Sequence, residues 1–212
     1  MHADPGSLSA APLAAGDALI VVDVQNDFIT GSLAVAGAAA IVPLLDRCIA
    51  AFTRLRLPVV VTRDWHPADH CSFREQGGPW PAHCVAGTAG AAFAPGLTVP
   101  ADAMIVSKAT EPRRENYSDF AGTGLGDRLR ALGVQRVFVG GLATDYCVLN
   151  TVRDALQEGF AAFLLADAIR AVNVDPDDGA KAITAMAAAG AVVINADAIA
   201  PAPVAAAARP GR

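Results

Sequence analysis

The chain is short of positive charge, of aromatic rings and of long apolar runs, and each shortage closes off a class of function. Sixteen Lys and Arg stand against twenty-one Asp and Glu in 212 residues, a net charge of −5, and no basic block breaks the pattern. That leaves no electrostatic footprint for nucleic acid or an anionic membrane. Aromatics make up 6%, too few for a platform on which single strands stack. No apolar run approaches the ~20 residues a membrane helix needs. Cysteine is scarce as well: Cys48, Cys71, Cys84 and Cys147 are far apart and form no CxxC pair. A disulfide framework is therefore not expected, and reduced thiols in the cytoplasm are.

What is present is material for one core. Hydrophobic residues make up 53% and charged residues 17%, a balance opposite to that of a disordered chain, and the length suits a single domain. Residues 1–17 and 200–212 are rich in Ala, Pro and Gly. They are expected to be a flexible leader, without the make-up of a secretory signal, and a flexible tail around a domain spanning 18–199.

Within that domain, short continuous β-branched runs alternate with helical periodicity. Ala18–Val24, Val59–Thr62, Met104–Val106, Arg136–Val139, Phe160–Ala166 and Ala191–Asn195 read as strands buried on both faces. Between them, Ala38–Leu57 carries Ile41, Leu44, Leu45, Ile49, Phe52 and Leu55 at helical spacing. Thr144–Glu158 stops at Gly159, and Asp177–Ala189 at Gly190. Strand–helix alternation predicts an α/β fold: three layers, α-β-α, around a six-stranded, mostly parallel sheet. The exception is the 37-residue stretch Asp64–Pro100, which has little periodicity and holds three of the four histidines. Loops of that length in a compact domain are usually functional.

Parallel sheets bind ligands beyond the carboxyl ends of their strands, and four chemically capable residues fall there. Asp23 lies at the end of the first run, Asp64 follows the second and Lys108 the third, and Cys147 lies in the first turn of the helix after the fourth. A thiol at a helix N-terminus is expected to have a lowered pKa and to act as a nucleophile, with Asp23 to accept its proton and Lys108 to stabilise negative charge. Singly, each residue also has a plain role: a packed thiol, a turn cap, a solvated lysine. Asp64-Trp65-His66, with His70 and His83 downstream, supplies a carboxylate and imidazoles for a metal with an open position. Cys71 and Cys84, beside His70 and His83, read as packing residues beside the site, with thiolate ligation as the alternative.

Four segments, VVDVQNDF (Val21–Phe28), TRDWHPADHCSF (Thr62–Phe73), WPAHCVAGTAGA (Trp80–Ala91) and GGLATDYCV (Gly140–Val148), resemble in content and order the nicotinamidases and pyrazinamidases of the isochorismatase-like cysteine hydrolases. The resemblance implies hydrolysis of nicotinamide to nicotinate and ammonia in NAD salvage, with pyrazinamide as a further substrate. It implies a catalytic triad of Asp23, Lys108 and Cys147, and an oxyanion hole from the backbone N–H groups of Ala143 and Cys147 with a cis peptide at Ala143–Thr144. One divalent metal, zinc first and iron or manganese as alternatives, would be held by Asp64, His66 and His83, with His70 open as a fourth ligand. The substrate pocket would be walled by Phe28, Leu33, Trp80, Tyr117 and Tyr146. Two departures stand out: Ala109 follows the triad lysine where the family often has Gly, and Glu115-Asn116-Tyr117-Ser118 replaces an acidic-Ser-Tyr-Ser stretch. A cysteine amidohydrolase for carbamoyl or ureido substrates, or a catalytically silent binding domain, is the alternative. A homo-oligomer is compatible with the composition.

Overall fold

A run apolar at every position can rest only where both faces are covered, and the computed structural model, which describes residues 12–199, places the first such run at the centre of a sheet. In β1 (Asp17–Val22) all six residues are buried. On one side of it lie β2 (Val59–Asp64) and then β3 (Met104–Lys108); on the other lie β4 (Arg136–Leu142), β5 (Ala161–Arg170) and β6 (Val192–Ile194). The order is β3-β2-β1-β4-β5-β6 and every pairing is parallel. Leu19 stands opposite Val59 on β2 and Phe138 on β4.

The alternation of side chains along β1 divides the core into two. A short α1 (Asn26–Ile29) follows β1, and Leu19 and Val21 pack with Ile41, Leu45, Ile49 and Phe52, on and just before α2 (Val42–Arg54). Ala18, Ile20 and Val22 pack with the opposite layer. That layer comprises α3 (Leu125–Ala131), α4 (Leu149–Gln157) and α5 (Asp178–Ala188). Burying each such aliphatic side chain contributes roughly 1.5–3 kcal/mol. The three-layer expectation holds, with the sheet parallel throughout.

The elements differ from the sequence reading at their ends. The helix expected over Ala38–Leu57 is a 3₁₀ turn at Ala38–Ile41 followed by α2. It stops because Arg56 takes a left-handed conformation, φ 56°, and Leu57 N–H returns to the Phe52 carbonyl. Leu55 is consequently half-exposed. α4 ends at Gly159, φ 89°, where Phe160 N–H bonds the Ala155 carbonyl at 2.9 Å, a closure that needs the missing Cβ. α3 was not expected from the sequence; Leu125 and Leu129, four apart, anchor it in the core.

The strand order reverses between β1 and β4, and such a switch point opens a crevice at the carboxyl edge. Gly141, φ 130°, lets the end of β4 press directly on the Val22 backbone, which a Cβ would strike. Residues 1–11 of the expected leader and the expected tail 200–212 lie outside the described residues. Residues 12–16 lead into β1, whose first residue, Asp17, accepts two bonds of 2.6 Å from the Arg136 guanidinium.

Candidate active site

At that crevice the chain brings together residues separated by more than a hundred positions. Asp23 leaves β1 with φ 49° and is fully buried. Its Oδ1 accepts the Thr62 hydroxyl at 2.9 Å, and its Oδ2 accepts the Lys108 ammonium. Lys108, the last residue of β3, also donates to Asp64 Oδ1 at 2.8 Å. Asp64 ends β2 one strand away, so register alone puts the lysine and this carboxylate side by side. A ligating atom each from Asp23, Asp64 and Cys147 lie within 4.8 Å of one another. All three triad candidates meet.

Cys147 lies in a wide turn, Thr144–Val148, ahead of α4, and not in the α-helix itself. Val148 N–H reaches five residues back to the Ala143 carbonyl at 3.1 Å, and Tyr146 N–H reaches the same oxygen. The cis peptide implied at Ala143–Thr144 lies one bond earlier, at Leu142–Ala143. Ala143 itself is extended and caps the turn through its carbonyl, so the peptide that follows it belongs to the turn.

The electrostatics also correct an expectation. Burial pushes the Cys147 thiol well above its ordinary value, against the pull of Lys108. Desolvation outweighs any helix-end effect at this depth. Burial likewise raises Asp23, with Lys108 opposing and Asp64 reinforcing. Burial alone would lower Lys108, but the carboxylates of Asp23 and Asp64 hold it well above the usual lysine range. The resting site is thus a neutral thiol beside a carboxylate more basic than usual and a firmly charged ammonium.

Beside this trio is a cluster with the chemistry of a metal centre. Asp64, His66 and His83 present ligand atoms within 4.8 Å of one another, all buried. Each imidazole has one nitrogen engaged by the backbone: His66 Nδ1 by the Ala109 carbonyl at 3.3 Å and His83 Nδ1 by the Pro81 carbonyl at 2.8 Å. That leaves both Nε2 lone pairs for a ligand. Among the described residues His66 Nε2 is buried without a hydrogen-bond partner, a cost that a bound cation would remove. The residues fit a divalent metal. His70 does not join them: its Nδ1 is occupied by the Ser72 hydroxyl at 2.7 Å and its Nε2 by the Arg114 carbonyl at 3.1 Å, while its ring lies 4.3 Å from that of His66.

Of the pocket candidates, Trp80, Tyr117 and Tyr146 come together. Trp80 Nε1–H donates to the Tyr117 hydroxyl at 3.1 Å, and both rings lie about Tyr146, at 5.0 and 5.4 Å. Phe28 packs 5.5 Å from the His83 ring. Leu33 is half-buried and packs with the core cluster of α2. The residue that sequence reading passed over is Gln25, two positions after Asp23. It is fully buried and bonds the Asp64 backbone at both N–H and carbonyl.

Comparison with known proteins places the chain in a family. The Isochorismatase domain family matches residues 17–198. The chain belongs to that family. It is 38% identical over 198 residues to the nicotinamidase of Escherichia coli, covering 83% of this chain and 93% of that one. A pyrazinamidase of Pyrococcus horikoshii, solved in complex with zinc, superposes with a TM-score of 0.82 at 46% identity, over 85% of this chain and 99% of that one. The PnC1 protein of L. infantum, solved in complex with nicotinate, gives 0.83 at 36% identity, over 90% and 98%. Among the described residues no helix is long and apolar enough to cross a membrane.

The departure at Ala109 now has a physical content. Ala109 sits at φ 51°, as do its neighbours in the site Asp23 at 49° and Cys84 at 45°. Non-glycine residues in this region cost of order 1 kcal/mol or more and collect where function demands them. A glycine after the lysine, as the family often has, meets no such cost; here the alanine bears it.

Proposed function

We propose that this chain is a nicotinamidase, hydrolysing nicotinamide to nicotinate and ammonia through a thioester on Cys147, with pyrazinamide as a further substrate. The observation that carries the reading is that two sets, Asp23–Lys108–Cys147 and Asp64–His66–His83, share one buried edge, with Asp64 facing both. A relative with the same activity and structures of relatives holding zinc and nicotinate support it.

The chemistry follows from the resting charges. Asp23, raised by burial, takes the Cys147 proton as Sγ forms its bond to the amide carbon. Lys108 keeps its charge throughout and steadies the carboxylate. The oxyanion is received by the N–H groups of Ala143 and Cys147. Asp23 then gives its proton to the amide nitrogen, the C–N bond breaks and ammonia leaves. Water, losing a proton to Asp23, attacks the thioester carbon, the C–S bond breaks to release nicotinate, and Asp23 passes its proton to Sγ, restoring the thiol. Asp64, His66 and His83 would hold one divalent cation, zinc first and iron or manganese otherwise, which when bound supplies a Lewis-acid anchor for the pyridine nitrogen. Trp80, Tyr117 and Tyr146 would wall the ring, together with Phe28 and Leu33. A reaction on a free metabolite suits the cytoplasm, where four unpaired thiols stay reduced.

Ammonia release from nicotinamide by the purified protein tests this, with Cys147→Ala and a chelator-treated sample alongside. Turnover should fall on the order of 10⁴-fold or more in Cys147→Ala, with metal content unchanged, and chelation should remove activity that added zinc restores. Full activity in Cys147→Ala would end the nucleophile assignment. A protein that releases no ammonia, and whose Cys147 reacts with a thiol probe no faster than buried Cys48, would be a silent binding domain.

A further inference from the structure

Lys108 faces three carboxylates, and the mechanism above uses two. The third belongs to Asp119. Its side chain is fully buried, with Oδ1 3.7 Å from the Lys108 ammonium. Neither of its oxygens has a hydrogen-bond partner among the described residues. The nearby Thr62 hydroxyl spends its single proton on Asp23 Oδ1, so it cannot donate to Asp119 as well. The Thr151 oxygen accepts the Asp119 backbone N–H at 3.1 Å. If ionised, Asp119 would be a buried charge whose only strong partner is an ammonium already in contact with Asp23 and Asp64. Such a surplus charge is resolved by keeping a proton.

We propose that Asp119 is a positioning residue held as an un-ionised acid, which closes the far side of Lys108 without drawing the ammonium away from Asp23. Burial is the main reason it keeps its proton: it pushes Asp119 up to about 8, with Lys108 pulling down and Asp23 pushing up. The charged or titratable groups that face it are Lys108 from β3, Asp23 from the end of β1 and Cys147 from the turn before α4. On the alkaline side Asp119 ionises. It then competes for Lys108 and places a like charge beside the Cys147 thiol, making the thiolate harder to form. The inference deepens the amidase reading and rests on it for the role of Asp23, but its test needs no amide substrate.

The test is infrared spectroscopy together with alkylation of Cys147 by iodoacetamide, on native protein, Asp119→Asn and Asp119→Ala. At neutral pH the native spectrum should contain the carbonyl stretch of a buried carboxylic acid, absent from both variants and fading as pH rises. Alkylation should run at equal rates in native and Asp119→Asn at about pH 7. At about pH 9 it should run about three- to tenfold faster in the variant, where the like charge is gone. A residue needed only for packing would change both rates alike. Absence of the acid band, or a rate ratio that does not depend on pH, overturns the proposal. Failure of both variants to fold would assign Asp119 to the fold and overturn it too. Loss of nicotinamide hydrolysis as a reading, with the band and the rate ratio intact, would leave the pairing of Asp119 and Lys108 standing.

Discussion

The side-chain amide of Gln25 pairs with the backbone of Asp64 as a neighbouring strand would, donating to its carbonyl and accepting its N–H, each at 2.8 Å. A second donation, to the Ala91 carbonyl at 2.9 Å, ties the same amide to the long loop. One side chain leaving β1 therefore fixes the direction of a carboxylate on β2 that faces both Lys108 and the histidines. Gln25→Ala should expose buried backbone groups without partners, lowering stability by about 2 kcal/mol or more. Loosening Asp64 should weaken metal affinity about 10–100-fold. Thermal unfolding and a zinc titration check the two parts separately.

His83→Ala removes one of the three proposed ligands while leaving Asp23, Lys108 and Cys147 in place. Bound metal should fall below one per chain and KM for nicotinamide should rise about tenfold or more, as binding that orients the ring is lost. Elemental analysis beside steady-state kinetics measures both. A variant with full metal content would remove His83 from the ligand set.

Ala109→Gly relieves a left-handed alanine. The gain of ~1–2 kcal/mol from the strain is partly offset by the freer unfolded chain, leaving about 0.5–1 kcal/mol of added stability. For a chain of this length that is a rise of roughly 2–4 °C in Tm per kcal/mol. Calorimetry decides it; a lower Tm would mean that the Ala109 methyl packs for more than its backbone costs.

Asp119 gives the fold a pH dependence of definite sign. Its folded value of about 8 stands above the ordinary 3.8. Between those limits the native state holds a proton that the unfolded chain releases. Stability from this group is therefore complete below about pH 4 and declines as pH rises toward 8. Asp119→Asn should remove the decline, so its Tm relative to the native protein should improve steadily across that window. A constant difference would show that Asp119 does not hold its proton in the native state.

Much of this was legible in one dimension because parallel strands advertise themselves. Runs such as Ala18–Val22 and Val59–Val61 have no polar face, and helical periods separate them, so six strands and their α/β layering could be read directly. The strand-end rule then pointed to Asp23, Asp64, Lys108 and Cys147 together, and the crowding of His66, His70 and His83 in one long loop marked a candidate metal centre. α3 went unread because it is seven residues long, too short for a period to emerge.

The sequence by itself determined the layers, the order of the motifs and the family, since these depend on local pattern and on residues near one another along the chain. Only the tertiary structure decided what depends on contact and depth. It occupied both nitrogens of His70 with Ser72 and Arg114, which separates that ring from the candidate metal cluster of Asp64, His66 and His83. It buried the Cys147 thiol, so that desolvation raises a group a helix end was expected to lower. It also set Asp119 against Lys108, a neighbour eleven residues away in the chain whose ammonium reaches it only because β3 ends at the switch-point edge of the sheet. Solvent exclusion and charge proximity are properties of three dimensions, and the chemistry of this site is made of both.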